Sequence, residues 1–463
     1  MRITTIDNPV SLKIGIVGGG FAGTAIAAVL HKLSQRPIEI IICEKSGHFG
    51  AGPAYSTPFF HHLLNVRAQD MSAFQDDPTH FTNWLSHHAD KDKYFDSHIP
   101  LGEQFAPRQL YHQYLQSLLE TLQAGQSKKF KLILEPVEVV DIDLLSDGGM
   151  LIFQDGRKAQ IDKVILALGN NPPTVFPFPV SADIQCINNP WDYTAVANIA
   201  SSDPVLIVGT GLSMIDAVLT LYHQRHQGMI YAVSRHGLLP LPHADIKPGY
   251  PLTTSSLSSD IRHLTTSLRA ICQSHVEEGG DWRSVVNTLR LHIPKIWEKA
   301  SVKDKKRFLR HVLPYWNIHR HRVHTVIMDL LSALSAQRQL KIMSGYVVRA
   351  KQGLAKIKLR HSQEITDIPV KWLINCMGPV QQLKATSQPL LGAILKRKVA
   401  TIDTLQLGLS VNSLGALKDD SGHPSTILYA LGAPTKGTLW EINAVPDIRS
   451  QIFDLARHLL AMR

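Results

Sequence analysis

Apolar residues along this chain fall into two rhythms. Short unbroken runs read as strands buried on both faces: Ile14 to Val17, Ile38 to Cys43, Lys163 to Leu168, Pro204 to Val208, Met229 to Val233, Lys371 to Cys376 and Ile427 to Leu431. Other stretches carry helical spacing. Ala22 to about Leu33 follows the first run. In Pro107 to Leu122, Leu110, Tyr114, Leu118 and Leu122 recur every fourth residue on one face. Helical periodicity also surfaces at Phe81 to Leu85 and from about Asp447 to the end, while GHFGAGPAYST (Gly47 to Thr57) is too glycine-rich to expect a helix.

The pattern repeats. A run, a glycine cluster, a helix and a second run open the chain and recur at Pro204 to Val233. Each copy is followed by a strand series read as a meander. The first comprises Lys131 to Leu134, Val137 to Asp143 and Met150 to Phe153, with a turn at Asp155-Gly156, and Lys163 to Leu168 runs into Gly169-Asn170-Asn171-Pro172-Pro173. The second comprises Lys341 to Val348 and Ala355 to Arg360, and Lys371 to Cys376 ends at Met377-Gly378-Pro379. Thr253 to Ala336, helical and poor in turns, interrupts the second copy. The expected fold class is α/β, with two Rossmann-like dinucleotide-binding domains, β-meanders and a helical insertion.

The first glycine cluster supplies chemistry. Gly18, Gly20 and Gly23 have Gly-x-Gly-x-x-Gly spacing between strand and helix. Gly18 permits the tight turn, Gly20 leaves room for a pyrophosphate, and Gly23 lets helix and strand approach. The helix start, with Phe21 and Ala22, offers unpaired N–H groups and a positive dipole end. Glu44, 24 residues after Gly20 and followed by Lys45, stands where a carboxylate can accept hydrogen bonds from ribose hydroxyls. A cofactor with a free ribose, such as FAD, fits there. Lys13 before an apolar stretch could suggest a signal peptide, but four glycines break that stretch and a strand follows at once.

The second cluster keeps Gly209, Gly211 and Ser213 but has Met214 in place of the last glycine. At the same offset of 24 residues from Gly211 stands Arg235, after Ser234 and before His236. A guanidinium there would bind the 2′-phosphate that a carboxylate repels, so NADPH is expected over NADH. The expected division is an FAD-binding domain over 1–172 and 395–463, an NAD(P)-binding domain over 173–252 and 337–394, and an insertion over 253–336.

Composition narrows the partners. There are 48 Lys and Arg against 38 Asp and Glu, a formal charge of +10 that suits anionic ligands. The basic residues are dispersed, so nucleic acid is not expected. No apolar run spans a membrane. Cys43, Cys186, Cys272 and Cys376 form no Cys-x-x-Cys, which argues against a zinc knuckle or redox dithiol and suits a reducing cytoplasm. No metal is expected, and oligomeric state is not encoded legibly.

The chain resembles the two-dinucleotide-domain flavoproteins, particularly flavin-dependent monooxygenases. More narrowly it resembles the bacterial FAD/NAD(P)-binding family that includes FAD-dependent urate hydroxylases. GAGPAYST (Gly50 to Thr57), LNVRAQDMS (Leu64 to Ser72), FAPRQLYHQYL (Phe105 to Leu115), DWR (Asp281 to Arg283), RFLRHVLPYWNIHRHR (Arg307 to Arg322), INCMGP (Ile374 to Pro379) and KGTLWEINAVPDIR (Lys436 to Arg449) carry that match. The resemblance implies that Ala54, Tyr55, Asn65, Met71 and Ser72 lie along the flavin and that Arg108 contacts FAD. It further implies that Gly432 and the helix start near Ala444 close over the ring, while the strand-ending Gly169 and Gly378 complete the two sites. The implied activity is a single-component monooxygenase hydroxylating a small molecule. A flavin reductase or dehydrogenase without oxygen insertion and a nucleic-acid-modifying flavoprotein are the alternatives.

Such chemistry asks little of side chains, because the cofactor carries it. The one polar cluster without a cofactor role is His319, Arg320, His321 and Arg322. It is either a surface feature or an anion site near the chemistry, and the insertion that bears it reads as a substrate cap. Trp282, Trp297 and Trp316 read as core anchors of that insertion.

Overall fold

The computed structural model describes residues 11–171, 173, 175–246, 249–252, 257–258, 260–378 and 388–462. The start of the insertion at Thr253 to Ser256 and the stops at Pro172 and Pro379 lie outside them. The chain forms two compact units, one of residues 1–56, 66–170 and 381–463, the other of 57–65 and 171–380.

In the first unit, β1 (Leu12–Val17), the helix Phe21–Leu33 and β2 (Ile38–Cys43) form where the apolar runs place them. Next come β3 (Phe130–Glu135), β4 (Val139–Leu145), β5 (Gly148–Phe153), β6 (Lys158–Ile161) and β7 (Lys163–Leu166). β3 is not part of the meander. It pairs in parallel with β2, Ile40 opposite Leu132, and extends the main sheet, leaving β4-β5-β6 as a separate antiparallel sheet. The helix Arg108–Ala124 buries Leu110, Tyr114, Leu118 and Leu122, the stripe read from the sequence. Gly47 to Thr57 does hold one helical turn, Gly52–Tyr55, started by Pro53, whose fixed φ suits a first turn.

The second unit repeats the plan with β8 (Gln185–Ile187), β9 (Val205–Val208), β10 (Ile230–Ser234), β11 (Leu340–Lys351), β12 (Leu354–Leu359), β13 (Ile365–Pro369) and β14 (Trp372–Asn375). Its sheet order is β13-β12-β11-β10-β9-β14-β8. Here one long strand does two jobs. β11 pairs in parallel with β10 through Leu340 to Ser344, then antiparallel with β12 from Gly345 onward. The last helix of the expected insertion, Thr325–Ala336, buries Ile327, Leu331 and Leu334 in the core with Val205, Val218 and Ile230. It is therefore the crossover helix from β10 to β11, as a parallel pair requires, rather than an inserted element.

After β14 the chain rejoins the first unit, where the helix Pro389–Lys396 puts Leu390, Leu391 and Ile394 against Ile142, Leu151 and Ile161. The sequence pattern assigns the chain up to 394 to the second domain; these three side chains instead belong to the first unit's core. β15 (Ala416–Lys418) and β16 (Pro424–Ala430) then complete a six-stranded sheet ordered β15-β16-β7-β1-β2-β3. The closing helix Val445–Ala461 buries Ile452, Leu455 and Leu459. No helix among the described residues is long and apolar enough to cross a membrane.

Candidate functional site

In the first unit the expected cofactor residues converge at the carboxyl ends of β1, β2, β7 and β16. Gly18 adopts φ +110°, a conformation L side chains rarely take, and an added Cβ would stand 2.3 Å from the Ala167 carbonyl oxygen. A Cβ on Gly23 would lie 2.0 Å from the Gly18 oxygen, so this glycine packs helix on strand. Gly20 differs: its Cβ would meet only the Gly52 Cα, at 3.5 Å, an ordinary contact. The fold leaves that space for a ligand rather than needing it itself. Gly20 is also the N-cap of Phe21–Leu33 and no side chain caps that helix end. The N–H groups there are left for an anion.

Glu44 is already at work. Its Oε2 accepts from the Gly19 N–H at 2.8 Å, and its Oε1 accepts from the Ser46 N–H at 3.1 Å and the Ser46 hydroxyl at 2.8 Å. The carboxylate thus ties the end of β2 to the glycine loop, with lone pairs remaining for a ribose. Lys45 is exposed, its Nζ 3.9 Å from Glu138 Oε1. The Gly50 N–H donates to the Gly19 oxygen at 2.7 Å, which brings Ala54 and Tyr55, in the turn that follows, toward the loop. Tyr55 packs on Tyr111 with ring centroids 4.7 Å apart, next to Arg108 at the start of the same helix; burial pushes the Tyr55 phenol up, and the Arg108 charge opposes that.

Other expected cofactor residues also make bonds within the protein. Ser72 is fully buried, and its hydroxyl is consumed by the carbonyls of Phe74 and Asp77 at 3.2 and 2.5 Å. Its own carbonyl accepts from Arg449 at 3.0 Å, and Met71 is 1% exposed. Asn65 falls in the second unit, where its carbonyl accepts from His243 at 3.1 Å. Gly432 takes φ +69° and ψ −139°, a conformation reserved for glycine, and its N–H donates to Gln451 Oε1 at 2.8 Å. A Cβ there would come within 3.7 Å of Ile448, so Gly432 adjoins the first turn after Ala444, an N-cap with no side-chain cap. Gly169 at φ +66° has nothing within 4 Å of its would-be Cβ.

The second unit holds a cavity of ≈ 800 Å³ at the matching place, with Gly209, Gly211, Ser213, Arg235 and Gly378 in its walls. Gly209 repeats Gly18, at φ +114° and with an added Cβ 2.0 Å from the Cys376 oxygen, and Gly211, like Gly20, is an uncapped extended N-cap, here with nothing within 4 Å of its Cβ position. Gly378, at φ +86°, is as open. Met214, in the third glycine's place, is fully buried in the core beneath the helix.

Ser234 and Arg235 have separate tasks. The Ser234 hydroxyl lies 2.8 Å from that of Thr210 and accepts from the Gly237 N–H at 3.0 Å, pinning the two loops together. Arg235 is exposed at the rim. Its carbonyl accepts from Arg360 Nη1 at 3.1 Å, and Arg360 also approaches His236 Nε2 at 3.5 Å. Burial, then Arg360 and Arg235, hold the His236 imidazole below its usual range, so the cationic groups here are the two arginines. Sequence reasoning missed Arg360. It ends a strand already recognised, but only the antiparallel β11-β12 register carries it to β10.

The His319–Arg322 cluster divides. His321 lines the cavity with Pro314, Asn317 and Ile318, whereas Arg320 and Arg322 are 8% and 7% exposed and absent from its walls. His319 packs edge-on against Trp282, with centroids 4.8 Å apart. Trp297 and Trp316 are buried, as expected of core anchors, whereas Trp282 is only half-buried and packs against His319 and Arg283. Among the described residues, no three His, Cys, Asp or Glu side chains gather as a metal site.

Residues 15–171 match the FAD-NAD(P)-binding family model. No curated protein matches the chain by sequence. Among solved structures, the ornithine N-hydroxylase of Kutzneria sp. 744 is 13% identical with a TM-score of 0.67, over 97% of this chain and 99% of that one. The cadaverine monooxygenase of Erwinia amylovora is 9% identical with a TM-score of 0.66, over 97% and 94%. The bacillithiol disulfide reductase of Staphylococcus aureus is 11% identical with a TM-score of 0.56, over 97% and 98%. The chain therefore has a Rossmann-like dinucleotide-binding fold that monooxygenases and a disulfide reductase alike are built on.

Proposed function

We propose that this chain is an FAD- and NADPH-dependent oxidoreductase, specifically a single-component monooxygenase that hydroxylates a small molecule. The carrying observation is the pair of uncapped helix ends, at Gly20 and Gly211, with a carboxylate beyond one and two guanidiniums beyond the other. One charge pattern suits a free ribose, the other a phosphorylated one.

FAD, when bound, supplies the redox chemistry, accepting hydride equivalents from NADPH and passing electrons to oxygen. The chain's own residues bind and orient. Gly20 and the N–H groups after it would hold the FAD pyrophosphate, Glu44 the ribose, and Gly432 with the helix start at Ala444 the ring end. Gly211 and Ser213 would hold the NADPH pyrophosphate, with Arg235 and Arg360 on its 2′-phosphate. Asn317 and His321 wall that cavity, which supports a sheltering role for the helices between β10 and β11.

The fold is shared with an ornithine N-hydroxylase and a cadaverine monooxygenase, which favours oxygen insertion. It is shared with a disulfide reductase too, but here Cys43 and Cys376 are buried and Cys186 and Cys272 more accessible, all four are free thiols, and burial raises each of them, Cys43 up to about 12. Thiolates that hard to form are poor electron acceptors or donors in exchange. Unpaired thiols also fit a cytoplasmic enzyme.

The test is stopped-flow mixing of NADPH-reduced protein with oxygen, followed by turnover with amine and aromatic substrates. Hydroxylated product in step with NADPH oxidation supports the reading. Stoichiometric hydrogen peroxide with every substrate, or modification of a nucleic acid instead, would replace it with one of the other flavoprotein activities.

A further inference from the structure

Three neighbouring strands border the second cavity in the order β9, β10, β11. β9 runs into Gly209 and Gly211, and β10 ends at Ser234, just before Arg235. β11 lies beside β10, with Ser344 opposite Ser234. Neighbouring strands are about 4.8 Å apart, so each strand end can meet the next unit of a nucleotide laid across them. The first two ends take the pyrophosphate and the phosphorylated ribose in the reading above. The third falls where the base would lie.

Tyr346 stands at that place. It lines the cavity together with Arg235, and it is 52% exposed. Ser344 and Tyr346, two residues apart on one strand, share a face of the sheet. Across from them, the Arg360 N–H donates to the Ser344 oxygen at 2.9 Å, and Tyr346 pairs with Lys358. Side chains directly opposite in an antiparallel pair are close neighbours, so the ring has Lys358 beside it and Arg360 on the diagonal. The patch is fastened to the end of β10. Ser344 Oγ donates to the Arg235 oxygen at 3.3 Å and Arg360 Nη1 to the same oxygen at 3.1 Å. Backbone register thus holds the Tyr346 ring one strand away from Arg235.

An exposed tyrosine on a strand face is ordinary by itself. This one differs in its neighbours, since it shares a cavity wall with one arginine and a sheet face with another. A base offers a flat π-face that stacks on such a ring, while the cations hold the phosphate of the same nucleoside.

We propose that Tyr346 is the stacking platform for the adenine of the nicotinamide nucleotide, with Lys358 and Arg360 beside it. The inference rests on the NADPH reading of this cavity and adds a division of labour to it. Tyr346 binds what NADPH and NADH have in common, and Arg235 tells them apart.

The test has two measurements on the flavin-loaded protein. One is anaerobic flavin reduction by NADPH, by NADH and by reduced nicotinamide mononucleotide, which lacks adenosine. The other is calorimetric binding of adenosine 2′,5′-bisphosphate, which lacks nicotinamide. Tyr346→Ala should raise the apparent constants for NADPH and NADH alike, by about tenfold or more, and weaken the bisphosphate by a similar factor. Reduction by the mononucleotide should stay as in wild type. Tyr346→Phe keeps the ring and should restore the affinities that alanine loses. Wild-type affinities for both dinucleotides and the bisphosphate in Tyr346→Ala would overturn the proposal and leave the NADPH reading standing. An equal loss with the mononucleotide would overturn it too, because the ring would then serve the nicotinamide end. A wild-type protein that neither binds the bisphosphate nor is reduced by either dinucleotide would overturn the NADPH reading, and this proposal with it.

Discussion

The α-carbon of Gly209 lies so close to Cys376 that a Cβ would stand 2.0 Å from the Cys376 carbonyl oxygen. Gly18 stands the same way against Ala167, at 2.3 Å. In each unit, then, the first glycine of the loop is wedged against the end of the neighbouring strand, at φ +114° and +110°. Gly209→Ala and Gly18→Ala should each cost about 1–3 kcal/mol from overpacking and backbone strain. Thermal melts of the holoproteins check this. Unchanged midpoints would show that loop and strand end are free to part.

The second glycines should behave oppositely. Gly211→Val faces open space, so secondary structure and flavin content should stay at wild-type levels while NADPH no longer reduces the flavin. Gly20→Ala should likewise fold, with weakened FAD, and Gly20→Val should purify colourless yet folded, as read by circular dichroism. If either valine variant loses its fold instead, the space is structural and not a ligand's.

These glycine loops were legible because everything that defines them is local: a run, a turn and a helix within thirty-odd residues. What escaped depends on pairing between distant segments. Lys131 to Leu134 reads like any strand, and only its register with Ile38 to Cys43 makes it parallel. The small strands Lys158–Ile161 and Ile365–Pro369 went unread because they are edge strands, exposed at alternate positions and carrying polar residues or a proline. Leu390 and Ile394 are apolar in either unit, so periodicity could not say which core takes them. The cluster at Arg320 and Arg322 reads as a solvated surface or an anion site; its burial follows from the isolated bridge of Pro242 to Val323 and from the helix bearing Arg283, which no local pattern reveals.

A third prediction concerns acid. His61 stacks on His223 at 4.0 Å between centroids, beside His62, and burial with those two neighbours depresses it to about 3. An unfolded histidine titrates near 6.5. Between those values the unfolded chain binds a proton that the native one refuses, so stability rises with pH there. The contribution is whole above pH 6.5 and is lost progressively as pH falls toward 3. His61→Phe keeps the ring stacking and removes the proton. Its denaturation midpoint should fall less steeply than wild type between pH 6.5 and 4. Parallel curves for the two proteins would mean that this stack does not sense protons.

The last prediction separates two arginines that share one expected ligand. Arg235 lines the second cavity, and the Arg360 guanidinium donates to the Arg235 carbonyl rather than meeting its side chain. Removing Arg360 therefore has two consequences, a lost cation and a loosened strand end, whereas removing Arg235 has only the first. A charge-assisted hydrogen bond to phosphate contributes about 1.5–3 kcal/mol, roughly ten- to a hundredfold in affinity. In anaerobic flavin reduction, Arg235→Ala should raise the apparent constant for NADPH by that factor and leave NADH almost unchanged. Arg360→Ala should weaken NADPH similarly and NADH slightly, because Ser344, which also donates to the Arg235 oxygen at 3.3 Å, still holds the strand end. Arg360→Lys restores the charge and one donor but not the fork, so it should recover part of the NADPH preference. Equal losses for the two nucleotides in Arg235→Ala would place the 2′-phosphate elsewhere and return Arg235 to the solvent.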